Sequence, residues 1–199
     1  MERLNPMAVL VRNEPGVLAR VAGLLARRGF NIHSLAVGET ETPDISRMSI
    51  VVSGDSSVRE QAIKQLRRLV DVIRVTDLTG RPHVERGLAL IKVTAPRERR
   101  SEIIELANIF RAAITHVDQG NMIVEVSGNR NKIEAMIDMM RPFGILEMVR
   151  TGQIVMARGQ AAVRVAGQAR PWSETRPKPA KKTTTTATLK ASNSNNHGE

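Results

Sequence analysis

Asn13-Glu14-Pro15-Gly16, set between the apolar run Met7-Ala8-Val9-Leu10-Val11 and the periodic segment 17–28, reads as a strand ending and a helix beginning. Asn is a preferred N-cap, Pro is tolerated in the first helical turn, and Gly at 16 removes a side chain where free backbone N–H groups point outward. Two readings follow from the residues. The turn is a capped helix start that binds nothing, or it holds an anion such as the carboxylate of a small ligand.

Outward from the turn, residues 4–12 read as a strand, and Val17, Leu18, Val21, Leu24 and Leu25 give the stripe of a helix packed on a sheet. Gly29, behind Arg27 and Arg28, closes that helix. Residues 31–37 form a second strand, 39–44 a polar loop with Pro43, and 47–53 a third strand in which Met48, Ile50 and Val52 alternate with Arg47, Ser49 and Val51. Gly54-Asp55-Ser56-Ser57 is a turn and N-cap for a helix with apolar positions Val58, Ala62, Ile63, Leu66, Leu69 and Val70, and 72–75 is a short fourth strand.

After the linker Thr79-Gly80-Arg81-Pro82-His83 the order repeats. A strand at 88–93 precedes a helix that begins after Arg100-Ser101 and is striped by Ile103, Ile104, Leu106, Ala107 and Phe110. Strands 114–117 and 122–126 flank the turn Gln119-Gly120-Asn121. Ile133, Met136, Ile137 and Met140 stripe a second helix, stopped by Pro142 and Gly144, and a last strand at 145–149 is extended by 153–157. The expected fold is α+β: two tandem ferredoxin-like βαββαβ units, 4–78 and 84–159, joined by linker 79–83, each an antiparallel sheet with two helices on one face. Units of this size bury only about 60% of their unfolded surface, so an exposed sheet face or edge strand is expected to pair with something, and a homodimer is expected.

Beyond Gly159 the composition changes. Arg176-Pro177-Lys178-Pro179-Ala180-Lys181-Lys182, Thr183-Thr184-Thr185-Thr186 and Asn193-Ser194-Asn195-Asn196 cannot build a core, so 160–199 reads as a disordered basic low-complexity tail with Trp172 as its large aromatic. The tail also explains the charge. The 199 residues carry 30 Lys and Arg against 20 Asp and Glu, net +10, but eight of the basic and two of the acidic residues lie from Arg158 onward. Residues 1–157 therefore hold 22 basic and 18 acidic residues, net +4, and the body is only mildly basic.

The absence of Cys excludes disulfides, thiolate metal sites and a cysteine nucleophile. No apolar stretch approaches the roughly 20 residues of a spanning helix, and no apolar signal core precedes the first strand, so a cytoplasmic protein is expected and no membrane partner. The histidines His33, His83, His116 and His197 are scattered without metal-ligand spacing. There is no G-x-S-x-G elbow, Walker loop or G-x-G-x-x-G, and no catalytic residue is assigned. Glu39, Glu41 and Asp44 cluster in one loop and could hold a hard cation, but read better as a solvated hairpin. Arg97-Glu98-Arg99-Arg100 reads as a charged helix approach.

The βαββαβ order is also that of the RNA-recognition module, which stacks bases on aromatics of its central strands. With 2% aromatics, no Tyr, and Phe30, Phe110 and Phe143 at helix ends, no such platform can be built, which leaves only nonspecific tail contacts with nucleic acid. The opening turn remains as a small-molecule sensor: N–H groups at 16–18 for the carboxylate of a free amino acid, Asn13 or Asn31 for its ammonium, and strand Ile, Val and Leu for an aliphatic side chain.

Asn13-Glu14-Pro15-Gly16-Val17-Leu18, Arg28-Gly29-Phe30-Asn31-Ile32, Ser34-Leu35 and Ser46-Arg47-Met48 closely resemble the regulatory small subunits of acetohydroxyacid (acetolactate) synthase. Val70-Asp71-Val72, Val84-Glu85-Arg86, Ile109-Phe110-Arg111, Arg141-Pro142-Phe143-Gly144-Ile145 and Arg150-Thr151-Gly152 continue the likeness in order over about residues 4–159. The resemblance implies an N-terminal ACT domain, a C-terminal small-subunit domain, and a homodimer in which second strands pair edge to edge. Asn13, Gly16, Val17 and Leu18 of one subunit would then lie beside Asn31 and Ile32 of the other, with valine between them. It further implies a non-catalytic chain without cofactors, which activates a catalytic large subunit and confers feedback inhibition by valine. That large subunit would carry thiamine diphosphate, Mg2+ and FAD and join two pyruvates, or pyruvate and 2-oxobutyrate, at the head of branched-chain amino-acid biosynthesis. His33 departs from the acidic or small polar residue expected there, and the tail extends past the usual end of the family. A stand-alone amino-acid-responsive or RNA-binding module is the rival reading, separable by co-purification.

Overall fold

Strand β1 (Leu4–Arg12) is apolar on both faces, and all five residues 7–11 are at most 2% exposed. A strand of that kind must be central and covered on both sides. It lies between β3 (Ile45–Ser53) and β4 (Val72–Asp77), with β2 (Ile32–Glu39) outside β3, in the order β2-β3-β1-β4 and antiparallel throughout. The computed structural model describes residues 3–159 and Val163; the tail reading of 160–199, Trp172 and His197 included, lies outside all but one of these.

Helices α1 (Val17–Arg27) and α2 (Ser56–Leu66) cover one face, where Met7, Val9 and Val11 of β1 and Met48, Ile50 and Val52 of β3 meet Val21, Leu25, Ala62 and Leu66. The alternation of Met48, Ile50 and Val52 with Arg47, Ser49 and Val51 thus separates the two faces of the sheet. Asp55 caps α2, accepting from the Val58 N–H at 3.0 Å. That helix stops at Leu66, earlier than its apolar stripe suggests. Leu69 is half-buried, but Val70 is 85% exposed in the turn before β4 and belongs to no helix.

The second sheet repeats the plan. Strand β5 (His83–Thr94) is central, flanked by β7 (Asn121–Gly128), with β6 (Ala113–Val117) beyond it, and on the other side by β8 (Ile145–Arg150). Helices α3 (Arg100–Ile109) and α4 (Arg130–Met140) enclose a core of Ile91, Val93, Ile103, Val124, Ile133 and Met136. Two tandem βαββαβ units of α+β type are therefore observed. Arg100 holds the β6–β7 turn by donating to the carbonyls of Ala95 (3.1 Å) and Gln119 (2.6 Å), and Arg99 lies over the Phe143 ring at 4.2 Å while pairing with Glu102 at 3.2 Å. The charged run 97–100 is a structural brace.

Strand β5 is longer than its apolar core predicts, and its first half pairs with β9 (Ile154–Ala157), which continues β8 past an irregular Thr151–Gly152–Gln153 step. β9 leaves its own sheet to lie on the open face of the first one. Val155, 2% exposed, packs with Ala8 and Leu78. Its N–H donates to Ser49 Oγ (3.3 Å), its carbonyl accepts from Arg47 Nη2 (2.6 Å), and the Gln153 N–H donates to Ser34 Oγ (2.7 Å). The face that composition left open is thus covered from within the chain. Among the described residues no helix is long and apolar enough to cross a membrane.

A Cβ built on Gly152 would stand 2.1 Å from the Leu35 carbonyl oxygen, whereas one on Gly120 meets nothing within 4 Å. Gly152→Ala is expected to cost about 1–3 kcal/mol through overpacking against backbone, lowering the melting temperature by roughly 2–4 °C per kcal/mol; Gly120→Ala is expected to be neutral, and calorimetry of both variants checks this.

Candidate functional site

The turn after β1 differs from the expected cap. The Val17 N–H reaches the Glu14 carbonyl at 3.4 Å, and Gly16 adopts φ 83°, ψ −10°. With Pro15 before it, this is the geometry of a type II turn, whose third residue sits near +80°, 0° and calls for Gly. Gly16, not Asn13, is the N-cap of α1, and it supplies no side-chain hydrogen bond to the helix. The first helical bond is Arg20 N–H to the Gly16 carbonyl at 3.0 Å, so the N–H groups of Leu18 and Ala19 stand at the helix start without a backbone acceptor.

The Asn13 carboxamide works elsewhere. Its Nδ2 donates to the Pro43 carbonyl (2.9 Å) and to Glu39 Oε1 (3.3 Å), and its Oδ1 accepts from Ser46 Oγ (2.9 Å). The Asn13 N–H also donates to the Asp44 carbonyl at 2.8 Å. Within the 39–45 segment, Thr40 Oγ1 donates to Thr42 O and Ile45 O. The three loop carboxylates therefore belong to a hairpin fastened to the end of β1. Among the described residues no group of three or more His, Asp or Glu is gathered for a metal ion.

Helix α1 ends in a paired closure, Gly29 N–H to Ala26 O (3.0 Å) and Phe30 N–H to Leu25 O (3.0 Å), which drops Phe30 against the first core and delivers the chain to β2. Asn31 is exposed and Ile32 half-buried. His33 is the extra residue of a β-bulge, because Ile32 pairs with Val52 and Ser34 with Val51.

The six predicted residues separate into two groups. Asn13, Gly16, Val17 and Leu18 lie at the end of the sheet where β1 pairs Arg12 with Ile45 and β2 finishes at Glu39. Asn31 and Ile32 lie at the opposite end of β2, roughly 23 Å away along eight residues of strand. One chain brings the first four together and leaves the last two apart from them. Val17 is 2% exposed and spends its side chain in the core; Leu18, 45% exposed, presents the apolar surface at the turn.

Sequence reasoning missed Arg20. Its Nη1 lies 3.1 Å from the position of a Gly16 Cβ, and its Nε donates to Asp71 Oδ2 at 2.6 Å. That hydrogen bond holds the guanidinium above its ordinary pKa against the opposing effect of desolvation, helped by the nearby charges of Asp71 and Glu14. The signal was available: position 20 is one helical turn after Gly16, on the same face. The turn thus joins free N–H groups, a fixed cation and an exposed leucine, which suits a small carboxylate with an aliphatic part.

Comparison with known proteins places this geometry in a family. Residues 7–74 match the model described as the AHAS small subunit-like ACT domain, and residues 86–159 match the small subunit of acetolactate synthase. The chain is 58% identical to a probable acetolactate synthase small subunit of Archaeoglobus fulgidus over 155 residues, 78% of this chain and 97% of the relative. It belongs to the acetolactate synthase small-subunit family. An acetolactate synthase small subunit of Aquifex aeolicus is 52% identical over 78% of this chain and 82% of its own length. The crystal structure of the Thermotoga maritima small subunit superposes with a TM-score of 0.74 at 43% identity, covering 80% of this chain and 99% of that one. Membership makes this a regulatory-type subunit of a branched-chain biosynthetic enzyme and implies a catalytic large-subunit partner.

Because Asn13 ties the hairpin and does not cap α1, Asn13→Ala is expected to cost about 1 kcal/mol and to accelerate amide hydrogen exchange at 40–45 while leaving 17–20 unchanged. Faster exchange confined to 17–20 would restore the capping role.

Proposed function

We propose that this chain is the regulatory subunit of an acetolactate synthase, that it acts as a homodimer, and that valine binds at the seam between two N-terminal ACT domains. The observation that carries the reading is the separation of the predicted site into two groups at opposite ends of β2, an edge strand with one side unpaired among the described residues. If β2 of two copies pair antiparallel, the Ile32 end of each meets the Glu39 end of the other, and Asn31 and Ile32 of one copy come beside Asn13, Gly16 and Leu18 of its partner. The half-site on each chain is then completed by the other.

At such a seam the ligand's carboxylate would accept from the Gly16 and Leu18 N–H groups, with Arg20 as a nearby counter-charge. Asn13 Oδ1 keeps one lone pair beyond the bond from Ser46 and could accept from the ammonium, as could Asn31. Leu18 and Ile32 would wall the isopropyl group. Catalysis stays with the large subunit, which in this reading holds thiamine diphosphate, Mg2+ and FAD and condenses two pyruvates to 2-acetolactate with loss of CO2. The small subunit raises that activity, and valine reverses the effect by favouring one dimer geometry. Couplings of about 1–3 kcal/mol are typical of such linkage, and association with the large subunit must alter valine affinity by the same factor. Residues 4–78 then form the sensing domain, 79–83 the linker and 84–159 the family's C-terminal domain, in a cytoplasmic complex.

Acetolactate formation by the large subunit, measured with and without this chain and titrated with valine, tests the proposal; no stimulation and no response to valine would sink it. Gly16→Asp puts a carboxylate on the ligand's own position and is expected to weaken valine binding at least tenfold by calorimetry, about 1.4 kcal/mol, without dissociating the dimer. Unchanged affinity would place the site elsewhere.

A further inference from the structure

A cleft of about 430 Å³ opens between β2 and β3 of the first unit and β5 and β9 of the second. Its walls are largely apolar, with Val37, Val84, Val155 and Met156 among them, but two guanidiniums, Arg47 and Arg86, also line it. Neither forms an ion pair among the described residues. Arg47 spends Nη2 on the Val155 carbonyl and Arg86 spends Nη1 on the Glu85 carbonyl, so each keeps further N–H donors. Burial pushes Arg47 below its ordinary pKa, and Glu41 offsets only part of that. A cation withdrawn from water against apolar walls, with a second guanidinium in the wall supplied by the other unit and no carboxylate bound, is an electrostatic debt that an anion relieves.

Glu39 is the acidic residue of the lining, and its Oε1 already accepts from Asn13 Nδ2. Two guanidiniums against one engaged carboxylate leave the cleft net positive, with little to offer an ammonium group. We propose that this cleft is a second ligand site, distinct from the turn at 13–18, which takes an aliphatic monocarboxylate lacking an ammonium group. Arg47 and Arg86 hold the carboxylate, and Val84, Ile154 and Met156 receive the chain. The volume suits an acid of this size, since small-molecule sites commonly span about 300–1,000 Å³. Because one wall belongs to each unit, the ligand would bind both sides of the contact that positions the two sheets.

The test is calorimetric titration of the full chain with hexanoate, 2-oxohexanoate and 2-aminohexanoate, in the wild type, Arg86→Gln and Gly16→Asp. Arg86 is exposed and its replacement leaves the cores intact. Hexanoate is expected to bind with Kd of about 0.1–1 mM, to weaken at least tenfold in Arg86→Gln and to be unaffected by Gly16→Asp. In the Gly16→Asp chain, 2-aminohexanoate is expected to bind at least tenfold more weakly than hexanoate. Tighter binding of 2-oxohexanoate identifies a 2-oxo acid as the preferred form, and equal or weaker binding a plain carboxylate; both support the site. Absence of hexanoate binding, full affinity in Arg86→Gln, or equal affinity for 2-aminohexanoate overturns it.

Discussion

The relative position of the two sheets depends on the contact between Gly152 and the Leu35–Ala36 peptide. No side chain fits between them, since even a methyl would meet backbone at 2.1 Å, and backbone cannot move without shifting β2. On either side of this contact the chain satisfies the polar groups that the approach buries: the Gln153 N–H at Ser34, the Val155 N–H at Ser49, and the Val155 carbonyl at Arg47. Three hydrogen bonds and one apolar cluster of Ala8, Leu78 and Val155 turn two small units, each marginal alone, into a coupled pair. Arg47 is the costly member of this arrangement, a half-buried cation retained for the carbonyl it satisfies.

This contact also gives the first unit a route to the second. Ser34 and Leu35 follow Asn31 and Ile32 after the single bulged residue His33, so any displacement of that strand bears at once on the segment at 152–155. A rigid sheet clamped at this point has little freedom to move without its neighbour, and packed interfaces of this kind shift between discrete arrangements. The physical warrant is adjacency on one strand and backbone-to-backbone contact, not distance along a chain of side chains.

Much of this was legible in the sequence. Period-two alternation in 47–53, the Asp55 cap, the stripes of α1 and α4 and the stop at Gly144 all appear where composition put them, because each is decided by neighbours within a few residues. The failures share the opposite cause. Asn13 reads as a cap because it precedes Pro at a helix start, but Pro15-Gly16 closes a turn of its own and moves the cap three residues on, releasing Asn13 to a loop 30 residues away. Val70 continues a helical stripe that tertiary packing does not use. The first half of β5 and the placement of β9 depend on a surface built by the other unit, which no local pattern encodes. The split of the six site residues between the ends of β2 is likewise a property of strand order.

The bulge at His33 carries one more consequence. In an unbroken strand, residues 32 and 35 face opposite sides, yet Ile32 and Leu35 both pack on the helical core and Ser34 meets Gln153 on the other face. The single extra residue acts as a frameshift in the strand's inside-outside code. Removing it would leave the composition of β2 almost untouched, but would turn Leu35 away from the helices and Ser34 toward them, exchanging the two surfaces on which the sheet's separate contacts depend.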